Sequence, residues 1–171
     1  MIALAAPLRP LLAAALGAPP ELIYRLAIGV LGAALAISVV SDLRARLIYN
    51  WVTLPALAIE LGLAALASGW PGLGWSIVGM LVCAGPLALG SMFGAMGMGD
   101  VKLMAVVGAV AGWPASLPVL FIVSVAGGLQ AAGQLLYARA RGHKRPKYVP
   151  YGVAIAAGTL ATWAGMTFFA Q

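Results

Sequence analysis

Leu22-Ile23-Tyr24-Arg25-Leu26-Ala27-Ile28-Gly29-Val30-Leu31-Gly32-Ala33-Ala34-Leu35-Ala36-Ile37-Ser38-Val39-Val40 is apolar almost throughout, with Arg25 near its outer end. About twenty such residues in a helix rise about 30 Å, the thickness of the hydrocarbon core of a bilayer. The stretch reads as a membrane-spanning helix, and it runs straight into Ser41-Asp42. The rest of the chain has the same character. Its 171 residues are 63% hydrophobic and 8% charged, with a mean hydropathy of +1.03, far outside the range of soluble domains. The fold class that follows is all-α, a polytopic membrane protein forming a single domain over residues 1–171.

Working outward from that helix, five more spans can be placed. A polar connection, Leu43 to Asn50, leads into a second span from Trp51 to Ser68 that contains Glu60. Gly69-Trp70-Pro71-Gly72 reads as a tight turn with Trp70 at headgroup level. A third span covers Leu73 to Met92, with Pro86 as a kink. Val101 to Trp113 is a short fourth span of about 20 Å. Either Asp100 at its start lies within the membrane region at the bottom of a water-accessible notch, or the helix continues, kinked, through Pro114. Leu117 to Tyr137 and Val149 to Phe169 complete a bundle of about six helices over residues 22–169. Upstream, Pro7, Arg9, Pro10, Pro19 and Pro20 break the apolar pattern, so residues 1–21 are expected to form an interfacial segment. A cleaved signal peptide is the alternative, but its positive charge should precede the apolar core that Arg9 interrupts.

The net charge of +6 does not indicate nucleic acid, because the ten basic residues form no face with interleaved aromatics. They serve as orientation signals instead. Arg44, Arg46, Lys102, Arg139, Arg141, Lys144, Arg145 and Lys147 fall on one side of the six spans, and Arg9 and Arg25 on the other. By the positive-inside rule the first side is cytoplasmic. Cys83 is the sole cysteine and His143 the sole histidine, so neither a thiolate metal centre nor a serine triad finds its residues. No cofactor and no metal are expected. Met92, Met96, Met98 and Met104 read as packing.

Against this background acids stand out, since the chain has only four. Asp42 and Asp100 both lie at ends of apolar runs on the expected cytoplasmic side, where ionisable groups are rare and usually functional. Asp100 follows Gly97-Met98-Gly99, whose glycines let the backbone bend and come close to a bound peptide. Singly, each acid has an ordinary reading. Asp42 could cap a helix end or pair with Arg44 or Arg46, and Asp100 could cap the helix after it. Together they suit a shared-proton pair, in which one carboxylate takes a proton from the attacking water while the other donates to the scissile carbonyl. Glu60 reads as an acid that pairs within the bundle or lines a polar cavity. A proton- or cation-coupled transporter is the rival function, and a purely structural assembly component the third.

Gly97-Met98-Gly99-Asp100-Val101-Lys102-Leu103 resembles the second catalytic motif of the type IV prepilin peptidases, membrane aspartic proteases with a Gly-x-Gly-Asp signature. Asp42 with Ile48-Tyr49-Asn50 downstream resembles the first, with Tyr49 where proline is usual, and Pro150-Tyr151-Gly152 looks like a further family feature. The likeness covers residues 22–169 and is to the short form associated with Flp-type (Tad) pili. It implies catalytic roles for Asp42 and Asp100, supporting roles for Gly97, Gly99, Lys102 and Asn50, and a prepilin as substrate in contact with membrane lipids. It implies residence in the bacterial inner membrane and cleavage of a short basic leader at the cytoplasmic face. Longer members also methylate the new terminus through a segment with paired Cys-x-x-Cys motifs. The lone cysteine implies that methylation is absent here.

Overall fold

The computed structural model describes residues 20–94, 96–141 and 151–168. The interfacial segment expected over residues 1–21 (all but its last two residues), together with His143, Lys144, Arg145, Lys147 and Pro150, lies outside the described residues. Those described form five α-helices and no strand: α1 (Pro20–Ala45), α2 (Asn50–Met92), α3 (Met98–Ala111), α4 (Ser116–Ala140) and α5 (Tyr151–Phe168). α1, α2 and α4 are each long and apolar enough to cross a membrane.

The count differs from the six spans expected because the second and third are one helical element, α2, of 43 residues. It is not straight. Gly69 has φ 63° and ψ −150°, and no other position within α2 leaves helical dihedrals. A Cβ on Gly72 would lie 2.5 Å from the Ala64 carbonyl oxygen and 2.7 Å from the Ser68 Cβ. Residues eight apart in a straight helix are separated by about 12 Å, so the chain folds back here. Glycine permits the left-handed dihedrals, and Pro71 sits in the first turn after the break, where its missing N–H does no harm. Pro86, expected to kink the helix, leaves the dihedrals helical.

α1 continues beyond the expected end at Val40 into the expected polar connection, as far as Ala45, so Asp42 belongs to its last turn. The continuation uses good helix formers, Leu43, Arg44 and Ala45. Arg46 then takes φ 55°, and its N–H donates to the Asp42 carbonyl at 3.0 Å, a left-handed stop.

α3 is the centre of the molecule. Ten of its fourteen residues are buried, among them Leu103, Met104, Val106 and Val107. A helix apolar on every face is stable only when surrounded, and α2 wraps it. The backbones of Gly79 and Gly108 meet so closely that a Cβ on either would strike the other's helix, a small-residue contact typical of membrane bundles. Ser76 Oγ donates to the Ala109 carbonyl at 2.7 Å, and the Trp113 N–H to the Trp75 carbonyl at 3.1 Å. α3 stops at Ala111, before Pro114, and α4 starts afresh at Ser116, so the kinked continuation considered from sequence does not occur. A fourteen-residue helix rises only about 21 Å, which its largely enclosed position allows. Leu31, Leu35, Val52, Ala56, Cys83, Val119, Val123 and Ile155 close the core around it.

Candidate active site

Asp42 and Asp100 reach one end of the bundle from different helices. Asp42 lies in the last turn of α1 and Asp100 in the first turn of α3. The segment between α1 and α2 ties the two together. Ile48 packs against the Gly99 backbone, where an added Cβ would come within 2.8 Å of the Ile48 Cβ. Lys102 Nζ donates to Asn50 Oδ1 at 2.8 Å, joining the starts of α2 and α3. Gly99, Lys102 and Asn50 thus form one clamp, which holds the Gly-x-Gly-Asp turn against the chain that leaves Asp42.

Both carboxylates are enclosed. Asp42 is fully buried, and its Oδ2 accepts the Gly152 N–H from the first turn of α5 at 2.9 Å. Asp100 is 5% exposed, and its Oδ1 has no hydrogen-bond partner among the described residues. The two carboxylates lie at the same end of the bundle, where the chain that leaves Asp42 packs against the turn that leads into Asp100. Asp100 stands three residues after the N-cap Gly97: its N–H donates to the Gly97 carbonyl at 3.1 Å and its carboxylate reaches back to the Gly97 backbone, so it closes the first turn of α3 as the capping reading expects, while Oδ1 is left without a partner among the described residues. Gly97 also leaves the room that Asp100 uses, since a Cβ there would lie 3.3 Å from Asp100 Oδ2. Each acid therefore sits in or against the first turn of a helix, α3 for Asp100 and α5 for Asp42. The free N–H groups and partial positive charge of a helix start help to offset buried negative charge. That is how an acid-poor membrane chain can hold two buried carboxylates at one end of its bundle.

Glu60 stands apart. It is 2% exposed in the first arm of α2, and its Oε1 has no hydrogen-bond partner among the described residues. No cluster able to hold a metal ion occurs among the described residues. The Gly152 N–H is the functional contact that residue types alone did not assign. Pro150-Tyr151-Gly152 marks the place in the sequence, but a backbone donor 110 positions from its acceptor leaves no side-chain signature.

A helical bundle with two buried carboxylates placed at one end defines a class, the membrane proteins that carry acids within an apolar bundle. The chain belongs to the type IV leader peptidase family, whose model matches residues 29–132 and so takes in both acids. It is 35% identical over 133 residues to prepilin leader peptidase/N-methyltransferases of Aeromonas hydrophila and Aeromonas salmonicida, a match covering 71% of this chain. The chain spans less than half the length of these relatives, the match covering 44% of each. No solved structure matches the chain.

Proposed function

We propose that the chain is an aspartic endopeptidase that removes the leader peptide of a type IV (Flp-type) prepilin, with Asp42 and Asp100 as the catalytic pair. The observation that carries this reading is the convergence of these two acids, from α1 and α3, at one end of the bundle. With one proton between them, the ionised carboxylate takes a proton from water as its oxygen attacks the scissile carbonyl carbon, and the protonated one donates to the carbonyl oxygen. Collapse of the tetrahedral adduct breaks the C–N bond, and a proton passes to the leaving amine. The arrangement supplies an acid and a base in a water-poor place.

In the bilayer the two arms of α2 cross separately and α3 forms the short central span, which makes six spans in the bacterial inner membrane. The acids then lie at the cytoplasmic edge. Support comes from Arg44, Arg46, Lys102, Arg139 and Arg141, which the helix order gathers at the Asp42 end. Placement of Asp42 and Asp100 at an end of the bundle weighs against their serving as an ion relay, although Glu60 lies midway along the first arm of α2. The test is incubation of the membrane-reconstituted protein with a pilin precursor. Wild type should release the leader and Asp100→Asn should not, and an uncleaved precursor with both would refute the reading.

A further inference from the structure

Asp42 accepts a backbone donor, and that donor must be aimed. Gly152 lies in the first turn of α5, next to Tyr151. A Cβ at Gly152 would stand 2.9 Å from Asp42 Oδ2 and 3.3 Å from its Cβ, so the N–H reaches the carboxylate only because residue 152 has no side chain. The neighbouring Tyr151 ring lies against α4. A Cβ added at Gly127, which is buried in that helix, would come 2.7 Å from Tyr151 Cε1 and 3.2 Å from Cδ1. Gly128, the next residue, would meet nothing within 4 Å. Of two adjacent glycines, one is filled by the ring and the other faces open space.

We propose that Gly127 and Tyr151 are positioning residues for the proposed reaction: the ring, seated in the notch at Gly127, fixes the start of α5 so that the Gly152 N–H is aimed at Asp42. The inference rests on the peptidase reading for its consequence, but not for its geometry. Side chains around a reacting group must be held to within a fraction of an ångström, and a displacement of about 1 Å costs up to about 100-fold in rate. A methyl at Gly127 stands within van der Waals contact of the ring by about that amount. It must move Tyr151, and with it the donor.

Two measurements on the reconstituted protein test the relay. The first is processing of a pilin-precursor peptide by wild type, Gly127→Ala, Gly128→Ala, Tyr151→Leu and the double variant Gly127→Ala/Tyr151→Leu. Gly127→Ala should lower kcat about 10- to 100-fold with KM nearly unchanged. Gly128→Ala should match wild type. Tyr151→Leu should also lower kcat, and adding Gly127→Ala to it should cost nothing more, because the methyl acts only through the ring. Wild-type kcat in Gly127→Ala, an equal loss in Gly128→Ala, or additive losses in the double variant would overturn the relay. If Gly127→Ala does not accumulate, Tyr151→Leu alone decides, and wild-type kcat there overturns it. The second measurement is hydrogen exchange at the Gly152 amide, which needs no activity. Exchange should be slow in wild type and faster in Gly127→Ala and Tyr151→Leu, but not in Gly128→Ala. Unchanged exchange would overturn the relay even if the protein cleaved no precursor, whereas a non-cleaving wild type with the expected exchange would sink the peptidase reading alone.

Discussion

Gly99→Ala should disable the site while leaving the fold standing. The added methyl would lie 2.8 Å from the Ile48 Cβ and 3.3 Å from the Ile48 carbonyl oxygen. Carbon atoms in contact rest about 3.5–4.0 Å apart, so the two segments must separate by about 1 Å. Overpacking of this kind costs about 1–3 kcal/mol, and replacing glycine by alanine in a helix returns about 1 kcal/mol. The net loss of stability is then about 0–2 kcal/mol, which a folded bundle survives. Activity responds differently, because Gly99 precedes Asp100 and the same clamp holds Lys102 on Asn50. A shift of about 1 Å at a reacting group lowers the rate about 100-fold, equivalent to about 2.7 kcal/mol in the barrier. The assay is leader release from a precursor peptide by protein in vesicles, with thermal unfolding followed in parallel. Because the collision is with a Cβ, Ile48→Val should not relieve it and Ile48→Gly should. Gly85→Ala, where a Cβ would meet nothing within 4 Å, is the control. Processing by Gly99→Ala at the wild-type rate would refute the claim that this contact sets the position of Asp100.

Three further outcomes are expected. Asp42→Asn and Asp100→Asn should each abolish processing while the protein still accumulates in the membrane; near-normal processing by either would remove that residue from the site. The rate should follow a bell-shaped pH profile, because the working form of the pair carries one proton: at high pH both acids are ionised and none can donate, at low pH both are protonated and none can accept. A rate that stays flat into the alkaline range would exclude the shared proton. Cysteine introduced at Arg46 should be labelled by a membrane-impermeant maleimide only from the cytoplasm, and at Pro71 only from outside. Cys83 is buried and should stay silent, and labelling in the opposite sense would reverse the orientation.

The sequence by itself determined the solvent of this protein and the identity of its two outstanding acids. Apolar runs such as Leu22 to Val40 leave a backbone no choice but helix in a bilayer, because only intra-segment hydrogen bonds are available there. Acids in such a chain are rare enough to be conspicuous, so Asp42 and Asp100 could be picked out, and Gly97 and Gly99 pointed to a turn beside one of them. Tertiary structure decided how those pieces meet. Pairing of Ile48 with Gly99, of Lys102 with Asn50 and of Gly152 with Asp42 joins positions tens of residues apart. Hydropathy is a local property and carries no record of such contacts. It also could not show that α3 is short because it is enclosed, or that Gly69 folds α2 back without ending its helical run. Least legible was the donor to Asp42. Every residue other than proline carries an N–H, so which one reaches the carboxylate is fixed only when α5 packs into the bundle and brings the N–H of a residue without a side chain to within 2.9 Å.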